Sequence, residues 1–248
     1  MDNRQPFLSI IIPAHNEEHR LPGSLEKICT FVASQTYPIE VMIVENGSQD
    51  RTFELAQEFA ERCEFIRVVR EQKSGKGLAV RSGMLAARGA YRFICDADLS
   101  MPIEQVVRFI PPQLPSAKIA IASREIPGAR RIGEPNYRHV IGRVFNTMVR
   151  WLALPGLQDT QCGFKSFRAD VAEQIFQMQT MTGWSFDVEV LYIARKLGYP
   201  IQEVPIDWYY EPGSRVNLYK DSIRMALDLL TIRRNDRQGK YASQNKGA

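Results

Sequence analysis

The sequence predicts an α/β fold: one Rossmann-like domain whose mostly parallel sheet is flanked by helices. Three observations carry this reading. Short runs rich in Ile and Val recur between turn residues, as strands buried on both faces do. Amphipathic helical patterns separate those runs. The connections are short, so each strand–helix–strand unit is expected to form a right-handed crossover.

The elements follow in order. Strands are expected at 7–12, 41–44, 65–69, 91–95 and 119–122. Between the first two, Leu21, Leu25, Ile28 and Val32 recur at helical spacing. The next helix covers about 52–62, with Leu55 and Phe59 one turn apart behind a Ser48/Asp50 capping region. A third covers about 77–87. After Arg124 the alternation stops, and 125–135 reads as a Gly/Pro/Arg-rich loop. A helix over 137–154 follows, with Ile141, Val144, Phe145, Met148 and Leu152 on one face. A short polar-to-apolar segment spans 159–168. Helices at 169–178 and 186–197, a strand at 201–206 and a final helix at 220–233 complete the domain. Residues 235–248 are polar and are expected to form a disordered tail.

Composition narrows the class. A chain of 248 residues, 44% apolar and 24% charged, can bury a full core and reads as a soluble globular protein. A net charge of +4 does not by itself point to nucleic acid, and no nucleic-acid partner is expected. Cys29, Cys63, Cys95 and Cys162 form no C-x-x-C pair and are expected to be reduced and buried. The first residues are polar, without a signal-peptide pattern, and no apolar stretch reaches bilayer-spanning length. A cytoplasmic location is therefore expected, with any membrane contact peripheral.

In such sheets ligands bind beyond the carboxyl ends of the strands. There the fourth strand ends in Asp96-Ala97-Asp98. Two carboxylates one residue apart call for a cation, and a hard divalent ion such as Mg²⁺ or Mn²⁺ takes oxygen ligands that it shares with a substrate phosphate. Alone, the pair is more often two solvated loop acids. The other strand ends change that balance. They carry Pro13-Ala14-His15-Asn16-Glu17, then Glu45-Asn46-Gly47-Ser48, then Gly75-Lys76-Gly77, then Ser123-Arg124. Polar groups at every end of one sheet edge suit a binding site better than a structural rim. Lys76, between two glycines at a helix start, offers N–H groups and a cation to an anion. There is no Walker A loop, no G-x-G-x-x-G after the first strand and no G-x-S-x-G elbow. His15, His19 and His139 form no ligand cluster.

Taken together, Pro13-Ala14-x-Asn16-Glu17, Val44-Glu45-Asn46-Gly47-Ser48-x-Asp50-x-Thr52, Gly75-Lys76-Gly77 and Asp96-Ala97-Asp98 resemble the family 2 glycosyltransferases of the GT-A fold. The second half is similar to the polyprenyl-phosphate sugar transferases. It carries Ser123-Arg124, Arg138 fourteen positions on, Asp159-Thr160-Gln161-Cys162-Gly163-Phe164-Lys165, Phe186-Asp187-x-Glu189 and Val204-Pro205-Ile206. The stretches 123–131 and 159–167 look closer to the glucosyl than to the mannosyl branch. The resemblance covers roughly residues 7–216.

The resemblance implies a GT-A domain over 1–234, with a nucleotide-sugar half at about 1–124 and an acceptor half at about 125–234. Pro13, Ala14, Asn16, Glu17, Glu45, Gly47, Lys76, Asp96 and Ala97 would form the nucleotide-sugar site, with Glu45 standing where the family usually has Asp. Asp96, Asp98 and Ser100 would hold Mg²⁺ or Mn²⁺. Arg124, Arg138 and Arg215 would hold the acceptor phosphate, and Asp98, Arg124 and Arg138 would carry the chemistry. The implied reaction moves glucose from UDP-glucose to dolichyl or polyprenyl phosphate with inversion. An acceptor phosphate is ionised at neutral pH, so the protein's task is to hold two anions together with metal and arginine. Arg130, Arg131 and Arg143 extend the basic cluster. The final helix carries Ile223, Ala226, Leu227 and Leu230 on one stripe, widened by Met225, Leu229 and Ile232; it suits either a bilayer surface or a core contact. Transfer of mannose or another hexose from GDP-mannose or another UDP-sugar stays open. So does a noncatalytic nucleotide-binding protein. A nucleotidyltransferase would carry a Gly-rich loop after the first strand, which is missing.

Overall fold

In the computed structural model, residues 5–211 and 218–242 are described. Strand β1 (Leu8–Ala14) lies inside the sheet because six of its seven residues are buried. It pairs in parallel with β2 (Ile39–Asn46) on one side and with β4 (Tyr91–Cys95) on the other. β3 (Ile66–Glu71) extends the sheet beyond β2. Strand neighbours point to opposite faces. Ile10 and Ile12 therefore join one core layer, with Leu21, Leu25 and Phe59, while Ile11 joins the other, with Val80, Met84 and Phe176. Helices α1 (Leu21–Ala33) and α2 (Thr52–Arg62) cover the first face. Helices α3 (Lys76–Ala86), α5 (Ala169–Met178) and α6 (Phe186–Lys196) cover the second. Gly83 sits where α3 crosses β1, and a Cβ there would come within 2.5 Å of Ile11 Cγ2.

The full order is β3-β2-β1-β4-β7-β5-β8, with β5 at Ile119–Ser123, β7 at Phe164–Arg168 and β8 at Ile201–Pro205. β7 runs antiparallel between β4 and β5. The unassigned segment 159–168 thus supplies an inner strand. Lys165 and Ser166 break its apolar run, yet both are buried, because Lys165 finds its counter-charge on α6. A second, two-stranded sheet joins β6 (Arg130–Ile132) to β9 (Asp207–Tyr209) in parallel. The 125–135 segment read as loop therefore contains a strand, held by an ion pair between the register partners Arg130 and Asp207.

Helix α4 (Asn136–Leu152) corrects the expected apolar face: Val144 points outward and is 68% exposed, while Val149 is fully buried. In α7 (Leu218–Arg237) the face with Met225, Leu229 and Ile232 packs into the core, and Leu227 and Leu230 face out. Of the expected disordered tail, 235–242 are instead ordered, and 243–248 lie outside the described residues. The helix runs to Arg237, Asn235 is buried, and Tyr241 is fully buried. All four cysteines are free; Cys95 and Cys162 are buried, and Cys29 and Cys63 are half-buried with their sulfurs 3.6 Å apart. No helix among the described residues is long and apolar enough to cross a membrane.

Candidate functional site

The carboxyl end of β4 delivers Asp96 and Asp98 into a tight turn whose last residue, Leu99, has a left-handed φ of +47°. Asp96 Oδ1 lies 2.6 Å from Lys76 Nζ. Its other oxygen rests against the backbone of Gly163, where a Cβ would come within 1.9 Å of Oδ2. Only glycine can occupy that position with Asp96 in place. Ser24 Oγ on α1 donates to the Ala97 carbonyl at 2.7 Å, tying the turn to the helix layer. Asp98 accepts the Ser100 amide at 3.0 Å. Burial, and then the charge of Asp96, push the Asp98 carboxyl above its ordinary range.

Lys76 opens α3 between Gly75 and Gly77, and both glycines are forced by a facing loop. A Cβ at Gly75 would come within 2.6 Å of the Thr182 carbonyl, and one at Gly77 within 2.6 Å of the Met181 carbonyl. Burial works against the Lys76 charge; Asp96, then Asp187, overcome it and hold the ammonium above its usual range. The Trp184 ring lies 5.2 Å from Nζ.

The ends of β1 and β2 interlock. Asn16 takes φ +51°; its amide donates to Ser48 Oγ at 2.9 Å and its Oδ1 accepts from the Gln49 amide at 2.7 Å. The Glu17 amide donates to Thr52 Oγ1 at 2.7 Å, and Arg20 grips the Glu17 carboxylate in a bidentate pair. His15 Nδ1 faces the Asn46 carbonyl at 2.9 Å. Pro13 and Ala14 close β1, and Gly47 turns the chain with φ +72°. Glu45 is fully buried: Oε1 accepts the Ser48 amide at 2.5 Å, and Oε2 accepts no hydrogen bond, with Arg70 Nε 3.3 Å away.

Arg124 leaves β5 and meets Asp159, 35 positions later, through three hydrogen bonds of 2.6, 3.0 and 3.1 Å. Burial raises the Asp159 carboxyl, but Arg124, by charge and hydrogen bonds, overrides it and holds the group at about 2. Trp208 lies beneath both Arg124 and Arg131, 5.4 and 5.8 Å from their guanidinium carbons. Arg131 is clamped by Glu125 and Glu134, each at 2.5 Å, and Arg130 by Asp207. Three arginines of the basic cluster are therefore neutralised, Arg124 and Arg130 by acids distant in sequence and Arg131 by two acids of its own loop. Arg143 is exposed, Arg138 lies in the first turn of α4, and Arg215 lies outside the described residues.

The structure also brings in groups that the motifs leave without a role. Lys165, buried on β7, donates to Asp187 at 2.5 Å and to the Cys162 carbonyl at 2.6 Å. Burial raises the Asp187 carboxyl, against the pull of Lys165 and Lys76. Asp159, Gly163, Lys165 and Asp187 all fall in motifs quoted above. Only the sheet order, with β7 against β4, brings Gly163 against Asp96 and sets Lys165 to hold Asp187, while Asp159 meets Arg124. Among the described residues no three His, Cys, Asp or Glu side chains converge as a metal cage. Two carboxylates, one strained by the other's charge, instead fit a hard cation that completes its shell on a substrate phosphate.

Residues 9–176 match the model of Glycosyl transferase family 2. The chain belongs to that family. The family 2 chain is 33% identical to dolichyl-phosphate beta-glucosyltransferase of Dictyostelium discoideum, over 94% of its own length and 77% of the relative's. It is 31% identical to the Homo sapiens enzyme of that name, over 94% and 76%, and 33% identical to that of Saccharomyces cerevisiae, over 99% and 79%. Among solved structures it is similar to mannosyl-3-phosphoglycerate synthase from Rubrobacter xylanophilus, with a TM-score of 0.68 at 16% identity over 98% and 77% of the two chains. It is also similar to glucosyl-3-phosphoglycerate synthase from Mycobacterium tuberculosis, solved with Mn²⁺ and UDP-glucose, with a TM-score of 0.65 at 18% identity over 94% and 79%. These structures establish the GT-A fold of the family 2 chain.

Proposed function

We propose that this family 2 glycosyltransferase moves glucose from UDP-glucose to dolichyl phosphate or a similar polyprenyl phosphate, inverting the anomeric carbon. The observation that carries this reading is the sheet edge on which Asp96, Asp98 and Lys76 meet. It lies in a chain whose relatives, at 31–33% identity, bear that enzyme's name. Asp96 and Asp98, with Ser100 beside them, would hold Mg²⁺ or Mn²⁺, which supplies charge to the departing nucleoside diphosphate. Lys76 and the α3 N-terminus add positive potential to the same anion. Pro13, Ala14, Asn16, Glu17, Glu45 and Gly47 would wall the nucleoside end.

Arg124, Arg138 and Arg215 would hold the acceptor phosphate. Asp159 takes part of the Arg124 fork, and a guanidinium has five donors, so it can serve a phosphate as well. An acceptor oxygen then attacks C1 as the bond to UDP breaks. That oxygen is already ionised, so no strong general base is needed.

The lipid tail requires a membrane-facing surface, and α4 suits it better than α7. Tyr137, Val140, Val144 and Trp151 lie at helical spacing and are 59–85% exposed. Arg143 and Arg150 lie on the same helix, and the sequence has no Asp or Glu from 135 to 158. An apolar stripe with only cations suits an anionic leaflet, peripherally at a cytoplasmic face. The reaction is tested by offering labelled UDP-glucose or GDP-mannose with dolichyl phosphate and Mn²⁺. Glucose should enter the lipid phase from UDP-glucose. Label from GDP-mannose alone would make this a mannosyl transferase.

A further inference from the structure

The loop between α5 and α6 forms the wall behind Lys76. Gln179 Nε2 donates to the Gly77 carbonyl at 2.8 Å, and the Leu78 amide donates to the Thr182 carbonyl at 3.2 Å. The carbonyls of Thr182 and Met181 are the groups that forbid side chains at Gly75 and Gly77. This loop is held from behind by one buried carboxylate. Glu189, fully buried in the first turn of α6, accepts the Thr180 amide at 3.1 and 3.0 Å, the Thr180 hydroxyl at 2.5 Å and the Met181 amide at 2.7 Å.

Its last partner comes from the end of the described chain. The Tyr241 hydroxyl donates to Glu189 Oε1 at 2.6 Å, and Asn235 Nδ2 donates to Thr180 Oγ1 at 3.0 Å. Tyr241 is fully buried, with its ring 6.2 Å from that of Tyr192. A buried carboxylate that lost this donor would either shift or draw in water, and Thr180 and Met181 hang on the same two oxygens.

We propose that Glu189 and Tyr241 are positioning residues for the donor site, setting the 179–184 loop and through it the place of Lys76 against Asp96. This rests on the UDP-sugar reading of the Lys76 site. The C-terminal residues are then part of the binding machinery, although they lie far along the sequence from every donor motif.

The test is a double-mutant cycle read by calorimetric binding of UDP with Mn²⁺ to the full chain. Tyr241→Phe keeps the ring packing and removes only the donor. It should weaken UDP–Mn²⁺ binding by up to about tenfold, the part of a charged hydrogen bond's energy that reaches the ligand through a displaced Lys76. In a Lys76→Gln background the same change should cost nothing, because the group it positions is gone. Glu189→Gln should follow the same pattern. Equal losses in both backgrounds, or no loss in either, would overturn the proposal. Absence of UDP binding by the unaltered chain would instead contradict the donor reading. Hydrogen exchange then decides the clamp alone: Tyr241→Phe must speed exchange at the Thr180, Met181 and Leu78 amides, and unchanged rates would overturn it.

Discussion

Asp96 is fixed by two neighbours of different kinds, an ammonium at 2.6 Å and a glycine backbone, and its charge acts against that of Asp98. The glycine contact makes a sharp prediction. Gly163→Ala places a methyl where the carboxylate lies, so Asp96 must turn away from its position. UDP–Mn²⁺ affinity should fall about tenfold or more, with the fold retained by circular dichroism. Wild-type affinity would show that Asp96 does not need its observed position. Arg124 and Asp159 give a second prediction. The Asp159 carboxyl is depressed in the folded state from 3.8 to about 2, so the pair stabilises the protein above pH ~4. That contribution, about 2 kcal/mol, is lost as pH falls through the folded value. Urea unfolding followed from pH 5 to 2 should show the loss in the wild type. Asp159→Asn should lack that slope and be less stable at pH 7 by about 3–5 kcal/mol, because it strands a buried guanidinium. These residues explain the limit of sequence reading here. Asp96, Lys76 and Arg124 are legible as chemistry at strand ends. Their partners Gly163, Asp187 and Asp159 are not, because the distances that matter are set by sheet order.

Elements of the first half follow directly from hydrophobic period, since each strand is a short, mainly apolar run and each crossover is local. β7 escapes this rule because its central charge, Lys165, is compensated by α6 rather than excluded from the core. β6 and β9 escape it because they are short, partly exposed and joined through an ion pair. The two long helices α4 and α7 show the opposite difficulty. Apolar residues occupy more than one face of each, and period alone does not tell the packed face from the exposed one. Packing assigns Met225, Leu229 and Ile232 to the core and leaves the α4 stripe outside. The membrane contact is therefore predicted for α4. Flotation with vesicles containing anionic lipid should drop several-fold for Trp151→Ser with Val144→Ser, while Leu229→Ala should cost stability instead. Unchanged flotation of the double variant would remove α4 from the membrane account.

At the scale of the molecule, one sheet edge collects a carboxylate pair, a lysine at a helix start and an arginine, each from a different strand. The antiparallel insertion of β7 between β4 and β5 joins the two halves of the chain, bringing Gly163 to Asp96 and, through Lys165, Asp187 to Lys76. The buried C-terminal residues then close the wall behind it. Such a site suits a reaction between two anions, which we propose proceeds with a metal held by the Asp96–Asp98 pair. The most direct measurement is glucose transfer from labelled UDP-glucose to dolichyl phosphate by the purified chain, titrated with Mn²⁺, beside Asp98→Ala. Lipid-linked glucose should form only with the metal, and the variant should lose at least ~100-fold with its fold intact. Metal-independent transfer, or equal turnover by Asp98→Ala, would contradict the proposal.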